Sequence, residues 1–216
     1  MSFLEKEKKR LQKMSIFEQR LKVQNYNTIA GVDEAGSGPL AGPVVAAACI
    51  LPDDFFLAYL NDCKLLSKVQ RERLYFEMIH RSDVFYGIGV VESKRIDEIN
   101  ILQASLEAMQ IAVNTLAVLP DYVLVDGNFL PDLSVPGRAI VKGDTLSISI
   151  AAASVIAKYT RDRLMEEWHK KFPEYCFHEH KGYGTKKHRE LLQQFGPCEI
   201  HRRSFSPVAL LNKKKS

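Results

Sequence analysis

Residues 31–51, GVDEAGSGPLAGPVVAAACIL, join two apolar runs through a glycine-rich turn and place two adjacent carboxylates, Asp33 and Glu34, inside the first run. The two runs predict paired strands connected by the turn. Neighbouring residues of a strand point to opposite faces of a sheet, so one of the two carboxylates must face a buried side. Burying an unpaired carboxylate is costly. The chain must therefore supply a partner for these acids.

Strand-like and helix-like patterns alternate along the chain after these two strands. The predicted elements are a helix at 67–80 with Ser67 as its N-cap, a strand at 84–92, one or two helices within 94–118, a short buried strand at 121–128, a long helix within 141–172 preceded by Gly143-Asp144, and a helix at about 185–195. This order predicts an α/β layer fold with a mixed β-sheet flanked by helices.

The N-terminal segment has a different character from the rest. Residues 3–22 carry apolar side chains at roughly helical spacing and predict one amphipathic helix. We therefore divide the chain into residues 1–24, an N-terminal amphipathic basic helix, and residues 25–216, one α/β domain that includes a C-terminal helical part. A chain of 216 residues is long enough for one domain with such an appendage.

The compartment is indicated by the apolar runs and the cysteines. The longest uninterrupted apolar run, residues 44–51, is far shorter than the roughly 20 residues that a membrane helix needs. The N-terminus shows no apolar core of a secretory signal. The cysteines are widely spaced and form no C-x-x-C pair, which is typical of free thiols in a reducing cytosol. We therefore expect a cytoplasmic protein without a membrane partner.

The charge is distributed unevenly along the chain. Residues 1–22 hold seven Lys and Arg against three acids, residues 178–216 hold nine against three, and residues 23–177 hold 14 against 20. Two basic ends around an acidic middle suit a metal-dependent enzyme that acts on a polyanion. Charge alone does not separate this interpretation from an ordinary solvated surface.

Four acids stand beside glycines at the ends of predicted elements: Asp33, Glu34, Asp126 and Asp144. Singly, Asp126 could belong to a turn and Asp144 could cap the long helix. Together they would repel one another unless a divalent cation lies among them. Ligation by oxygen alone favours magnesium or manganese over zinc.

Three other motifs suggest different binding sites: a dinucleotide site, a calcium loop and a zinc site. Gly36-x-Gly38-x-x-Ala41 fits a loose dinucleotide-binding pattern, but no helical pattern follows it. DGNFLPD, residues 126–132, starts like a calcium loop but has Leu130 where an oxygen ligand belongs. Five residues near the C-terminus could in principle bind zinc: Cys176, His178, His180, Cys198 and His201. Their spacing, however, matches no familiar zinc pattern.

Seven sequence blocks, in order, resemble those of bacterial ribonuclease HII, the type 2 ribonucleases H. The blocks are GVDEAGSGPLAGPVVAAA, NDCKLLS, VLVDGN, VKGD, AAASVIAKYTRD, HKGYGT and HRRSFSPV, and they extend over roughly residues 25–210. The resemblance implies a ribonuclease H-like catalytic domain. It also implies a divalent-metal endonuclease that cuts the RNA strand of RNA–DNA hybrids and cleaves beside single ribonucleotides in duplex DNA.

The resemblance also implies roles for particular residues. Asp33, Glu34, Asp126 and Asp144 would be the catalytic metal ligands, with Asp33 and Asp126 the better candidates for the central positions. The turn of Gly36, Ser37 and Gly38 would sense the ribose 2′-hydroxyl, together with Tyr183, whose ring would stack on a sugar. Candidates for contact with the nucleic-acid backbone are Lys64, Lys142, Lys181, Arg202 and Arg203.

The chain departs from the family pattern at three positions. Ser37 stands where the family usually has an arginine, and Cys63 and Leu65 replace the serine and lysine of the usual NDSKKLS block. These changes affect phosphate contacts and leave the four acids in place. Two alternatives stay open: a non-catalytic module that binds hybrids, and a nuclease of related fold that acts on DNA junctions or single strands. We expect a monomer.

Overall fold

The computed structural model describes residues 1–61, 63 and 66–213. Within this part of the chain, one sheet holds five strands in the order β3-β2-β1-β4-β5. The strands are β1 (Ile29–Ala35), β2 (Val44–Ile50), β3 (Phe85–Val91), β4 (Tyr122–Asp126) and β5 (Gly137–Ile140). β2 is antiparallel to β1 and β3, whereas β1, β4 and β5 are parallel neighbours. The predicted mixed sheet is confirmed.

Helices cover both faces of the sheet. They are α1 (Phe3–Met14), α2 (Ile16–Val23), α3 (Lys68–Ile79), α4 (Ser93–Ile99), α5 (Ile101–Asn114), α6 (Ile148–Lys171), α7 (Phe177–His180), α8 (Lys186–Phe195) and α9 (Val208–Lys213). Ala47 and Cys49 of β2 pack with α6 on one face, and Ala46 and Ala48 pack with α5 on the other. The small side chains of β2 let both helices approach the sheet closely.

Two predicted helix starts are confirmed by their caps. Ser67 accepts a hydrogen bond from the Gln70 amide, and the Gln70 side chain returns one to Ser67, so α3 begins with a capping box. Thr185 caps α8 in the same place that the sequence predicts. The region 94–118 contains two helices, because Asn100 takes a positive φ of 69° between α4 and α5.

The prediction of one helix over residues 3–22 is wrong. The segment forms α1 and α2, which are separated at Ser15. The Ser15 hydroxyl donates to the Leu11 carbonyl at 2.9 Å, and its backbone leaves the helical region. A serine hydroxyl competes with backbone hydrogen bonds in this way, which explains the break. β5 has no counterpart among the predicted strands, because it is short and half-buried.

Other expectations concern membranes and thiols. Each helix in the described ranges is too short or too polar to cross a membrane. All four cysteines are free thiols, as expected from their spacing.

Candidate active site

Three carboxylates converge at one edge of the sheet. In the parallel pair β1–β4, Val32 lies opposite Val125, so Asp33 and Asp126 follow side by side at the strand ends. Asp144 comes from a short 3-10 helix, Gly143–Thr145, which follows β5. One carboxylate oxygen from each of the three lies within 4.8 Å of the others. The sheet topology thus brings together acids that are up to 111 residues apart in the sequence.

Asp33 is the most buried member of this group, with 5% of its surface exposed. It accepts hydrogen bonds from the Glu34 amide at 2.7 Å and from the Ser154 hydroxyl. Burial, and then the charges of Glu34 and Asp126, raise the pKa of Asp33 well above its ordinary value. Both donors are uncharged, so the negative charge of the cluster lacks compensation at Asp33. A divalent cation would supply it.

Asp126 and Asp144 are held by the chain around Gly143. The Gly143 amide donates to Asp126 Oδ1 at 2.6 Å. Asp144 is buried, and the N-cap of α6 is Ser147, whose hydroxyl accepts from the Ile150 amide. The possibility that Asp144 caps the long helix is therefore wrong, and so is a purely turn-forming role for Asp126. Their carboxylates face each other and Asp33.

The alternation of a strand places the side chain of Glu34 on the opposite face of the sheet from that of Asp33. Asp33 faces α6 through Ser154, whereas Glu34 is half-buried and lines a cavity of about 250 Å³ together with Ser37, Asp126, Phe129 and residues of α5. Among the described residues, the group with mutually close oxygens has three members and does not include Glu34. Metal ligation by Glu34 stays a prediction.

The glycine-rich turn leads directly into β2, so the dinucleotide-binding interpretation, which needs a helix there, is wrong. Its two glycines have different reasons to be glycine. Gly36 has φ +101°, and a Cβ there would lie 2.0 Å from Nε of Arg161. Gly38 lies outside the left-handed region, and a Cβ there would meet nothing within 4 Å. The fold requires Gly36, whereas Gly38 is exposed and has open space around it.

Arg202 is not placed to contact the phosphate backbone of a nucleic acid, because its side chain is completely buried. Its guanidinium donates to the carbonyls of Gly36 at 2.6 Å, Ser37 at 3.1 Å and Gly42 at 3.0 Å. Burial, followed by the nearby charge of Arg161, lowers the pKa of Arg202 to about 9, so it stays charged at neutral pH. Arg202 therefore fixes the backbone of the turn, and its proposed contact with nucleic acid is corrected.

Tyr183 lies on a loop that buried side chains hold in place. Arg161 donates to the Lys181 carbonyl at 3.0 Å, His180 accepts from the Gly182 amide at 3.2 Å, and His188 donates to the Tyr183 carbonyl at 2.9 Å. Tyr183 as a whole is 41% exposed. Because Arg161 also donates to the carbonyls of Ala41 and Pro43, it ties the tyrosine loop to the glycine-rich turn.

The other residues predicted to contact the nucleic-acid backbone differ in their exposure. Lys142 and Arg203 are exposed. Lys181 is largely buried and pairs with Glu166 at 2.9 Å. Lys64 lies outside the described residues, as does Leu65.

The histidines and cysteines near the C-terminus form a hydrogen-bonded core cluster. His201 Nε2 donates to His188 Nε2 at 3.1 Å, and His201 Nδ1 accepts from the Cys198 amide at 3.0 Å. Within the described residues, the grouping of possible metal ligands contains the three aspartates and neither cysteine nor histidine. The zinc interpretation is therefore not supported.

Sequence reasoning did not single out three residues of this region: Lys158, Arg161 and His188. Lys158 Nζ lies 5.5 Å from the centre of the Tyr183 ring, and Arg161 is fully buried in α6. The sequence did contain an indication of Lys158 and Arg161, because their long charged side chains interrupt the small and apolar residues of AAASVIAKYTRD.

Comparison with known proteins places this geometry in a family. The family model for Ribonuclease HII matches residues 30–208. Ribonuclease HII of Chlamydia muridarum (strain MoPn / Nigg) is 55% identical over 194 residues, covering 90% of this chain and 89% of the relative. Ribonuclease HII of Caldanaerobacter subterraneus subsp. tengcongensis is 50% identical over 204 residues, covering 94% and 84%.

A solved structure agrees with these relatives. The crystal structure of ribonuclease H2 from Pyrococcus horikoshii OT3 superposes with a TM-score of 0.70 at 28% identity, covering 87% of this chain and 98% of that chain. The family-model match, residues 30–208, extends from the acids on β1 to the C-terminal helical part. This chain belongs to the ribonuclease HII family, and it is a ribonuclease H, an endonuclease of the hydrolase class.

Proposed function

We propose that this ribonuclease H cuts the RNA strand of RNA–DNA hybrids and the 5′ side of ribonucleotides embedded in duplex DNA, leaving 5′-phosphate and 3′-hydroxyl ends. The observation that carries the proposal is the meeting of three carboxylates at the end of β1 and β4, directly before a turn with open space at Gly38. A phosphodiester could approach the acids there while its sugar lies against bare backbone.

The residues present fit a divalent metal. Asp33, Asp126 and Asp144 offer oxygen atoms only, which suits magnesium or manganese, and the donors to Asp33 and Asp126 are uncharged. Glu34 would complete the ligand set from the rim. When bound, two such ions would activate a water and neutralise the departing oxygen.

The chain's own contribution to the reaction is orientation. The Ser154 hydroxyl and the Glu34 amide fix Asp33, and the Gly143 amide fixes Asp126, so the carboxylates need little rearrangement when a metal binds. The attacking water displaces the 3′-oxygen of the preceding nucleotide. That oxygen takes up a proton and becomes the 3′-hydroxyl, while the phosphate stays on the 5′ side of the next nucleotide.

Selection of ribose is assigned to the backbone of Gly36, Ser37 and Gly38 together with Tyr183. Arg202 holds the carbonyls of Gly36 and Ser37 on the inner side of the turn. The open space at Gly38 lets a sugar reach main-chain groups on the other side. The exposed ring of Tyr183 can then stack on the neighbouring sugar.

Contacts with the phosphate backbone are proposed for Lys142, Lys181, Arg203 and Lys64. Lys158 joins this set, because its ammonium lies over the Tyr183 ring. The absence of an arginine at position 37 should lower affinity and reduce its dependence on salt. We also propose that the protein acts as a monomer in the cytoplasm, and the free cysteines support a reducing compartment.

One experiment tests the proposal against the alternatives. Four labelled duplexes are incubated with chelator, Mg²⁺ or Mn²⁺: DNA with one ribonucleotide, an RNA–DNA hybrid, all DNA and all RNA. We expect metal-dependent cleavage of the first two alone. Cleavage of all DNA would favour the junction nuclease, and tight binding of the hybrid without cleavage would favour the non-catalytic module.

A further inference from the structure

The two N-terminal helices lie before residue 30, where the family match begins, yet α2 packs against the sheet and α6. Leu21 of α2 packs with Ile29, Leu124, Ile140 and Ile150. These four residues belong to β1, β4, β5 and α6, which are the elements that carry or flank the three aspartates. The placement raises the question of what α2 contributes to the site.

Glu18 of α2 gives the answer through its hydrogen bonds. Its Oε1 accepts from the Ser147 hydroxyl at 2.5 Å, the Ser149 hydroxyl at 2.7 Å and the Ser149 amide at 3.1 Å. Only 9% of Glu18 is exposed, and its other oxygen is buried without a hydrogen-bond partner among the described residues. The carboxylate therefore holds the first turn of α6 through one oxygen.

Such a contact is favourable at this end of a helix. The first amides of a helix have no partner inside it, and the helix dipole attracts negative charge there. Ser147 supplies the usual cap within its own chain segment, by accepting from the Ile150 amide. Glu18 adds a second cap from another helix, 131 residues before Ser149.

The capped turn is directly connected to the aspartates. The amides of Leu146 and Ser147 donate to the Gly143 carbonyl at 2.9 and 2.8 Å, so the segment from 143 to 147 is one tight turn that includes Asp144. The Gly143 amide in turn holds Asp126. On the other side, a Cβ at Gly31 would lie 2.1 Å from the Ser149 backbone, so this part of α6 packs directly on β1.

We propose that Glu18 is a positioning residue for the metal site, which caps α6 from α2 and thereby sets the turn that presents Asp144 and anchors Asp126. Residues 1–24 are then part of the catalytic unit and not a separate arm for substrate. The inference rests on the proposed function only in assigning a metal to the three aspartates.

The test compares Glu18→Ala and Glu18→Gln with the wild-type full-length chain. Binding of Mn²⁺ is measured by titration calorimetry without nucleic acid, and amide hydrogen exchange is followed over residues 143–151. We expect Glu18→Ala to weaken Mn²⁺ binding about 10-fold, at the lower end of what loss of an outer-shell partner costs, and to speed exchange in that segment. The Mn²⁺ affinity of Glu18→Gln should lie between those of the wild type and Glu18→Ala, because the amide oxygen of glutamine can still accept a hydrogen bond while the charge is lost.

A matched control comes from the same helix. Lys22 of α2 pairs with Asp53, and its ammonium has no hydrogen bond or ion pair with α6 among the described residues, so Lys22→Ala should leave Mn²⁺ binding at the wild-type value. Should Glu18→Ala not fold, Ser149→Ala removes one of the three donors and should weaken binding in the same direction by a smaller factor.

The outcomes separate this inference from the proposed function. Wild-type protein that binds no Mn²⁺ would count against the metal site itself. Wild-type binding together with unchanged affinity in Glu18→Ala, or an equal loss in Lys22→Ala, would overturn the positioning role of Glu18. Cleavage of a hybrid at several metal concentrations should follow the calorimetry, with a higher half-saturating metal concentration and an unchanged KM for the substrate.

Discussion

The same substitution at two neighbouring glycines should have opposite consequences. In Gly36→Ala the new methyl group would lie 2.0 Å from Arg161 Nε and 2.9 Å from the Pro43 carbonyl, in a backbone with φ +101°. Left-handed backbone costs roughly 1–2 kcal/mol in a residue with a Cβ. Overpacking against a buried side chain adds about 1–3 kcal/mol. We therefore expect a loss of about 2–5 kcal/mol in the free energy of unfolding.

Gly38→Ala should leave stability nearly unchanged, within about 0.5 kcal/mol, because its methyl group meets nothing within 4 Å. The methyl group would, however, fill the space that we assign to the sugar. Cleavage of a duplex with one ribonucleotide should fall strongly while the protein melts like wild type.

The assay pairs thermal melts with single-turnover cleavage for both variants. A loss of about 2–5 kcal/mol corresponds to a fall of about 4–20 °C in Tm for a chain of this size. Wild-type cleavage by Gly38→Ala would refute the role of the open space. A melt of Gly38→Ala as low as that of Gly36→Ala would refute the structural distinction between the two glycines.

Three further predictions concern the acids, the histidines and Tyr183. Asp33→Asn or Asp126→Asn should abolish cleavage while the apo protein melts at or above the wild-type temperature, since repulsion among the carboxylates is relieved; substantial activity in both variants would contradict the metal site. Burial lowers the pKa of His188 to about 4 and that of His201 to about 3, so the unfolded chain takes up protons that the folded chain excludes as the pH falls below about 6.5. Denaturant titrations should show stability falling by up to about 2.7 kcal/mol per pH unit between pH 6 and 4, and equal stabilities at pH 7 and 5 would argue against buried neutral histidines. Tyr183→Ala removes a stacking surface worth about 1–3 kcal/mol, so cleavage at a lone ribonucleotide should fall more than cleavage of a long hybrid; an equal loss on both substrates would make Tyr183 a general contact.

The sequence predicts most of the sheet because its local signals agree with the packing. The apolar run of β2 is buried along its whole length, and the cap at Ser67 needs only the residues next to it. The acids could be identified because a buried carboxylate needs a partner. A carboxylate within an apolar strand, such as Asp33, therefore indicates a binding site before the fold is known.

The features that the sequence did not predict depend on distant contacts. Arg202 looks like any basic residue of a charged C-terminus, and only the folded chain brings it to the carbonyl of Gly36. The break at Ser15 separates α1 from α2. Leu21 of α2 then packs against the sheet and Glu18 binds the start of α6, and neither contact can be read from the residues around Ser15. β5 is too short for its alternation to be recognised.

The hydrogen bond from Arg202 to Gly36 also has a consequence for synthesis of the protein. The turn that is assigned to ribose recognition is made early in translation, but the guanidinium that fixes its backbone is added 166 residues later. A nascent chain could pair β1 with β2 and still have a loose turn until its C-terminal segment leaves the ribosome. Selective cleavage would then begin only after residue 202 has been added and has folded onto the turn. Fragments truncated before residue 202 would keep the four acids but would lack the guanidinium that orders the turn of residues 36–38.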